Sequence, residues 1–164
     1  MKVTICEYDA DWPRLYEREA TRIRGALGDD AEVAHVGSTS VPGLAAKPII
    51  DILLLVPDSR DEPAYLPALE SAGYVFGFRE PDWFEHRMFK GPDTRIHLHV
   101  FSSGEPEAAH MLRFRDHLRV HDADRELYER TKRELAQRDW TVGQDYADAK
   151  TQVVQEILGR AKGS

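Results

Sequence analysis

The sequence has little of several features that would place a protein in other classes. It contains a single cysteine, Cys6, so no intramolecular disulfide can form and a reducing compartment is expected. Its apolar stretches are too short for a membrane span or a signal peptide, so we expect a cytoplasmic protein without membrane association. No internal repeat, low-complexity tract or inter-domain linker is visible, and the length suits one domain over residues 1–164.

Basic residues are also in the minority. The chain has 22 Lys and Arg against 29 Asp and Glu, which gives a net charge of −7 with neutral histidines. Broad, sequence-independent binding to nucleic acid needs a surplus of Lys and Arg that displaces counterions from phosphates. The composition therefore argues against broad nucleic-acid binding, although it is compatible with a small local basic pocket.

What the chain does contain is a succession of helical and strand patterns. Apolar residues at three-to-four spacing predict helices over residues 9–27, 62–72, 107–119, 122–138 and 144–158. Strands are predicted over residues 32–36, 48–56, 74–78, 85–89 and 95–101, and the last two form a hairpin. This order predicts an α+β fold in which a mixed β-sheet is flanked by helices, with a helical C-terminal third.

The turn after the first strand and the acid in the second strand form the first candidate site. Gly37-Ser38-Thr39-Ser40 can aim backbone N–H groups and three hydroxyls at one anion, with Lys47 as a nearby cation. Asp51 is the only acid in the run Ile49 to Leu55, and a buried carboxylate needs a cation, a donor or a ligand. The structural alternatives are that the turn only connects two strands, and that Asp51 pairs with Lys47 or is exposed at the end of its strand.

Two histidines in the last strand form the second candidate site. His97 and His99 alternate with Ile96, Leu98 and Val100, so both imidazoles point to one face of the strand. This spacing suits a metal ion or a phosphate, and Asp51 could supply a further metal ligand. A solvated strand face is the alternative.

Other polar side chains are weaker candidates. His35 leads into the Gly-Ser turn and is a candidate to line the site, whereas His110, His117 and His121 belong to polar helices and are expected at the surface. Arg and Lys can approach a polyphosphate, so cationic residues of the helical third and their neighbours are further candidates. They are Arg113, Arg115, Asp116, Lys132, Tyr146 and Lys150. For each of them taken alone, a solvated helix face is the structural alternative.

Several strings together resemble the GrpB family, also called UPF0157. They are YDADWP at 8–13, HVGSTSVPGLAAKPIIDI at 35–52, EHRMFK at 85–90, HLHV at 97–100, FRDHLR at 114–119, and Tyr146 with Lys150. The resemblance runs from about residue 3 to residue 158 and implies the polymerase-β-like fold of the nucleotidyltransferase superfamily. In that superfamily a Gly-Ser turn holds a nucleotide triphosphate and strand carboxylates hold magnesium.

Carried over to this chain, the resemblance assigns Gly37 and Ser38 to phosphate and Asp51 to a metal, and the family's lysine matches Lys47. The residue patterns described above add the other predicted members of the two sites. Asp51, His97 and His99 are the predicted catalytic and metal-binding residues, and the metal is a divalent ion, Mg²⁺ or Mn²⁺, with Zn²⁺ as the alternative. The predicted residues for phosphate or nucleotide binding are Gly37, Ser38, Thr39, Ser40, Lys47, Arg87, Arg115 and Lys150.

One departure from the superfamily pattern bears on catalysis. Active nucleotidyltransferases carry a second carboxylate two residues after the first, and Leu53 stands at that position here. We therefore keep three hypotheses: a metal-dependent nucleotidyltransferase, a non-catalytic nucleotide- or coenzyme-binding module, and a metal-dependent phosphohydrolase that uses the two histidines. The binding module would assist a partner enzyme such as dephospho-coenzyme A kinase, to which the family's domain is also fused.

Overall fold

A five-stranded mixed β-sheet forms the centre of the molecule. The computed structural model describes residues 4–138, 146 and 148–162. Its strands are β1 (Glu32–Val36), β2 (Ile50–Val56), β3 (Val75–Glu80), β4 (His86–Lys90) and β5 (Ile96–Ser102). They lie in the order β1-β2-β5-β4-β3, with β2 and β5 parallel and every other neighbouring pair antiparallel. The predicted hairpin of the last two strands is confirmed.

The described helices are α1 (Trp12–Leu27), α2 (Leu66–Ser71), α3 (Pro106–Val120), α4 (Asp122–Ala136) and α5 (Thr151–Lys162), with short 3₁₀ helices at Ser38–Ser40 and Glu62–Ala64. The helix predicted over 62–72 is divided in two. Pro67 has no N–H to donate to the carbonyl four residues earlier, so a continuous helix cannot run through this segment. The start predicted for the last helix, at residue 144, lies outside the described residues.

The sheet is covered on both faces, which confirms the predicted α+β class. On one face Ile52, Leu54 and Val100 pack with Trp12 and Ile23 of α1 in the main core. On the other face Leu53 and Phe101 pack with Ala108 of α3. Because β2 is buried from both sides, its sequence is an almost continuous apolar run rather than an alternation.

The register of β2 and β5 places the predicted polar residues together. Asp51 lies beside His97, and Leu53 lies beside His99, on the sheet face that α3 covers. Side chains alternate between faces along a strand, so the neighbours Ile52 and Leu98 enter the main core instead. Within the described part of the chain, no helix combines the length and the apolar character needed to cross a lipid bilayer.

Leu53 provides a test of this arrangement. Its side chain is 1% exposed, so replacing it by aspartate buries a charge among Val36, Phe101 and Ala108 and should lower the free energy of unfolding by about 3–5 kcal/mol. Leu55→Asp, on the same face but only partly buried, is the matched control and should cost less. Urea denaturation measures both variants, and equal losses would contradict the burial of Leu53.

Candidate functional site

The close approach of Gly37 to Asp51 brings the two parts of the site together. Val36 pairs with Asp51 across β1 and β2, and Gly37 follows with a φ of 74°. A Cβ atom at Gly37 would lie only 2.6 Å from Asp51 Oδ2. The position therefore requires glycine both for its backbone conformation and for space.

The three hydroxyls of the turn do not share one target, contrary to the sequence-based expectation. Ser40 Oγ donates to the Gly37 carbonyl, and Thr39 Oγ1 donates to the Ile49 carbonyl over 3.1 Å. Both side chains are buried and support the turn. Ser38 Oγ instead accepts a hydrogen bond from Lys132 Nζ, at 2.8 Å.

Three lysines surround the space between Ser38 and Asp51. A cavity of about 60 Å³ is lined by Ser38, Asp51, Lys47, Lys132 and Lys150, among others. The Lys47 and Lys150 ammonium groups lie 5.2 and 5.0 Å from the centre of one ring, that of Tyr146. Lys132 Nζ also donates to the Ala45 carbonyl over 2.9 Å.

Burial and crowding of positive charge lower the pKa of two of these lysines, whereas Tyr128 and Tyr146 raise the pKa of the third, Lys150. Lys132 is 2% exposed; burial, with the charges of Lys150 and Lys47 adding to it, lowers its pKa to about 7. Burial and the Lys150 charge also lower the pKa of Lys47. An anion placed among these groups would relieve their mutual repulsion.

Asp51 also ends a chain of hydrogen-bonded side chains along the sheet. Its Oδ1 atom lies 3.0 Å from His99 Nε2, and His99 Nδ1 lies 3.0 Å from His86 Nε2. His86 Nδ1 in turn lies 2.7 Å from Glu80 Oε1. His97 stands apart, with Nδ1 3.9 Å from Asp51 Oδ1. Burial lowers the pKa of both His86 and His97.

The structure does not bring Arg87 and Arg115 to this cavity. Arg87 points to the opposite sheet face, because it alternates with His86, and it binds Glu62 and Glu85 at 2.9 and 2.7 Å. Arg115 donates to the His35 carbonyl over 3.0 Å. The other residues predicted from the sequence lie at or next to the cavity. They are the turn residues 37–40, Lys47, Asp51, His97, His99 and Lys150.

Two other histidine expectations need correction. His35 does not line the cavity: it stacks on Tyr16 of α1, is buried, and places Nε2 2.9 Å from Thr39 Oγ1. His117 is buried rather than exposed, with Nε2 2.6 Å from Asp124 Oδ2.

Three residues of the site and its surroundings were not predicted as site residues from the sequence: Glu80, His86 and Arg119. Arg119 donates two hydrogen bonds to the Ser40 carbonyl, at 3.0 and 2.8 Å, and so holds the turn from α3. His86 could have been found from the hairpin register, which pairs Met88 with His99 and so places His86 on the same face. No sequence pattern indicated Glu80, because its pairing with His86 depends on the turn between β3 and β4.

A metal ion would find two protein ligands here rather than three. No group of three or more His, Cys, Asp or Glu side chains within the described ranges is arranged to hold a metal. Asp51 and His99 offer one oxygen and one nitrogen donor within 3.0 Å of each other. Such a donor pair fits a divalent ion that takes its remaining ligands from water or from a bound phosphate.

A larger cavity adjoins the small one. It has a volume of about 940 Å³, and its lining includes His86, His99, Trp83, Phe101 and Lys150. Lys150 lines both spaces. A ligand with a phosphate in the small cavity could therefore extend into the larger one.

Comparisons with known proteins agree on one family. The family model described as GrpB protein matches residues 2–160. The UPF0157 protein BH1888 of Halalkalibacterium halodurans is 61% identical over 163 residues, which are 99% of this chain and 84% of that protein. The crystal structure of the conserved protein GrpB from Enterococcus faecalis superposes with a TM-score of 0.80 and 31% identity, over 96% of this chain and 98% of that chain.

A more distant similarity is to a crystal structure of the Cid1 poly(U) polymerase with Mg 3'-dATP bound. It has a TM-score of 0.49 and 14% identity, over 70% of this chain and 41% of that chain. This similarity is too low to bear on activity.

Gly37 gives a direct test of the contact with Asp51. Gly37→Ala should be destabilising, because alanine meets both a backbone conformation that is essentially restricted to glycine (φ 74°, ψ −179°), which costs about 1–3 kcal/mol, and the Asp51 carboxylate. Gly43→Ala is the matched control, since Gly43 has a φ of 82° and open space around its Cβ position. Thermal denaturation should show the larger loss for Gly37→Ala, and similar losses would contradict a tight contact.

Lys132 gives a test of the electrostatics. Its pKa is about 7 in the folded chain, against an ordinary value of 10.5. Between these pH values the unfolded chain binds more protons, so the free energy of unfolding should rise as the pH increases from about 7 towards 10. Urea denaturation across this range should show a smaller rise in Lys132→Met, and the same slope in both proteins would contradict the prediction.

Proposed function

The chain belongs to the GrpB family, and from that premise we propose that it binds a nucleotide, or another phosphorylated small molecule, together with a divalent metal ion. The phosphate would lie in the small cavity between Ser38 and Asp51. Lys47, Lys132 and Lys150 would contact it, and Asp51 would hold the metal with His99.

The three lysines are the observation that carries this proposal. The cavity is lined by Lys47, Lys132 and Lys150 against one carboxylate, Asp51, in a chain whose net charge is −7. Concentrating three amines in one small, partly buried space is unfavourable unless an anion compensates them. Phosphate supplies both the charge and several hydrogen-bond acceptors.

The dimensions of the two cavities support a ligand larger than phosphate. The space of about 60 Å³ beside Ser38 suits a phosphoryl group rather than a nucleoside. The adjoining space of about 940 Å³ offers Trp83, which is 42% exposed, as an apolar surface for the remainder of the molecule. A nucleotide meets both requirements, since it has a charged end and a flat aromatic end.

Nucleotidyl transfer is the reaction we propose for this site. An acceptor would form a bond to the α-phosphorus of a nucleoside triphosphate, the bond from that phosphorus to the oxygen bridging the α- and β-phosphates would break, pyrophosphate would leave, and the acceptor's proton would pass to water. The lysines would hold the departing phosphates, and a divalent ion would neutralise charge on the transferred group.

Leu53 favours the second candidate, a binding module without turnover. It occupies the place of the second metal-binding carboxylate and is buried against Val36, Phe101 and Ala108. One carboxylate with one imidazole holds fewer ions than the clamp of a two-metal transferase. Such a module would act on a partner enzyme through its bound nucleotide or coenzyme.

Calorimetric titration tests the phosphate site directly. With nucleoside triphosphates and Mg²⁺ or Mn²⁺, Lys132→Met should lower affinity tenfold or more, because it removes a charged hydrogen-bond donor worth about 1.5–3 kcal/mol. Arg130→Met is the matched control, since Arg130 is exposed on the same helix.

The same samples separate the two candidates. Pyrophosphate release with an added acceptor would support the transferase, whereas binding without turnover would support the module. Unchanged affinity in Lys132→Met, or no binding of any nucleotide, pyrophosphate or coenzyme A precursor to the wild type, would refute the phosphate site.

A further inference from the structure

We propose that Ser38 is a nucleophile with Lys132 as its general base, and that Ser38 accepts the terminal phosphoryl group of a nucleoside triphosphate held in the small cavity. This inference rests on the proposed function, because it needs a triphosphate bound in that cavity with a divalent ion. The reaction itself is a separate one, and it makes Ser38 a site of covalent modification.

Ser38 carries the turn hydroxyl that is available for chemistry. The hydroxyls of Thr39 and Ser40 already donate to the carbonyls of Ile49 and Gly37. Ser38 lines the small cavity, and its Oγ atom lies 2.8 Å from Lys132 Nζ. This separation is within the range over which a base takes a proton from a hydroxyl.

The surroundings of Lys132 favour the uncharged amine. The side chain is 2% exposed, and a buried ammonium is costly unless a carboxylate pairs with it. Within the part of the chain that the structure describes, Lys132 contacts only neutral groups, namely Ser38 Oγ, the Ala45 carbonyl and the Tyr128 ring. Burial and the charges of two neighbouring lysines lower its pKa to about 7. Near neutral pH, Lys132 can therefore act as a base.

A neutral Lys132 satisfies all three of its contacts. An ammonium has three N–H donors and no acceptor, whereas the neutral amine has two donors and a lone pair. The Ala45 carbonyl, at 2.9 Å, and the face of the Tyr128 ring, centred 4.8 Å away, can only accept. The lone pair is then left for the Ser38 hydroxyl, and the bond to Ala45 holds the amine in this orientation.

The remaining two lysines of the cavity suit the transfer of a phosphoryl group. Lys47 and Lys150 line the same space of about 60 Å³, where they can neutralise charge on the phosphoryl oxygens. This space suits one phosphoryl group, and the nucleoside would extend into the larger cavity. The phosphorus beside Ser38 is therefore the terminal one of the triphosphate.

The transfer balances with the groups present. Ser38 Oγ forms a bond to the terminal phosphorus, and the bond from that phosphorus to the oxygen bridging the β- and γ-phosphates breaks. The bridging oxygen keeps the electron pair, the nucleoside diphosphate leaves, and the Ser38 proton passes to Lys132 Nζ. The ammonium formed in this way lies beside the new phosphoserine and compensates its charge. Lys132 thus activates a hydroxyl at a site where Leu53 replaces the carboxylate for a second metal ion.

Labelled ATP tests the modification directly. The full chain, treated with phosphatase beforehand, is incubated with Mg²⁺ and with ATP labelled on either the α- or the γ-phosphate, and the labelled peptide is identified by mass spectrometry. We expect the γ-label on Ser38, no label in Ser38→Ala, and normal labelling in the control Ser103→Ala, which changes an exposed serine. The α-label on Ser38, or unlabelled Ser38 in protein that binds ATP, would overturn the proposal.

Lys132→Arg separates a base from a cation. Arginine keeps the positive charge but stays protonated, so it can bind phosphate without accepting the Ser38 proton. At saturating ATP the labelling rate should fall about 100-fold or more, the usual contribution of a general base. Calorimetry should show that this variant still binds ATP. An unchanged labelling rate would exclude Lys132 as the base.

The pH dependence of the wild type checks the same role without any substitution. At saturating ATP the labelling rate should rise as the pH increases through about 7, because Lys132 then loses its proton. A rate independent of pH over this range would contradict the assignment. The other titratable or charged groups around Lys132 are Lys47, Asp51, Tyr128, Glu129, Arg133, Tyr146 and Lys150.

Failure of this inference can be told apart from failure of the phosphate site. If calorimetry shows that ATP binds but no label reaches Ser38, the covalent step is refuted and the binding site stands. If neither ATP nor pyrophosphate binds, the proposed function itself is refuted. Ser38→Ala should still bind ATP, which shows that its loss of labelling does not come from misfolding.

Discussion

The contact between Gly37 and Asp51 is the constraint on which the candidate site depends. It exists because β1 and β2 are antiparallel neighbours whose register pairs Val36 with Asp51. The chain must leave β1 at once to pass over the carboxylate, and only a residue without a Cβ can do so at that distance. The passage of the chain over the carboxylate sets the direction of the turn. It therefore also sets the position of Ser38 opposite Lys132.

Around this contact the protein separates two kinds of electrostatic environment. On one side of Asp51 lie the lysines, where burial and mutual repulsion lower the pKa of Lys132 and Lys47. On the other side lie His99, His86 and Glu80, linked by successive hydrogen bonds. Asp51 is thus positioned between a region that favours an anion and a chain that can favour a cation. A phosphorylated ligand bound with a metal ion would satisfy both regions.

The helical C-terminal third has a structural role. This role accounts for several polar side chains that the sequence did not indicate as structural. Arg119 and Arg115 of α3 donate to carbonyls of Ser40 and His35 at the two ends of the turn. Val41 and Leu44, just after the turn, pack among apolar residues of α3, α4 and α5. The turn is therefore held from the helical side as well as by the sheet. Without these helices neither Lys132 nor Lys150 would reach the cavity.

What the sequence alone determined was local: the strands, most helix boundaries, and the placing of His97 and His99 on one face, because period-two alternation and helical spacing are properties of short segments. It also identified the Gly-Ser turn, Lys47 and Asp51, which lie within fifteen residues of one another. Only the tertiary structure decided which cations meet them. Arg87 and Lys132 are equally plausible phosphate ligands by residue type, but Arg87 falls on the wrong sheet face while Lys132 is carried in by α4. The chain from Glu80 to Asp51 joins residues from four strands, and such contacts depend on strand order and register, which no local pattern encodes.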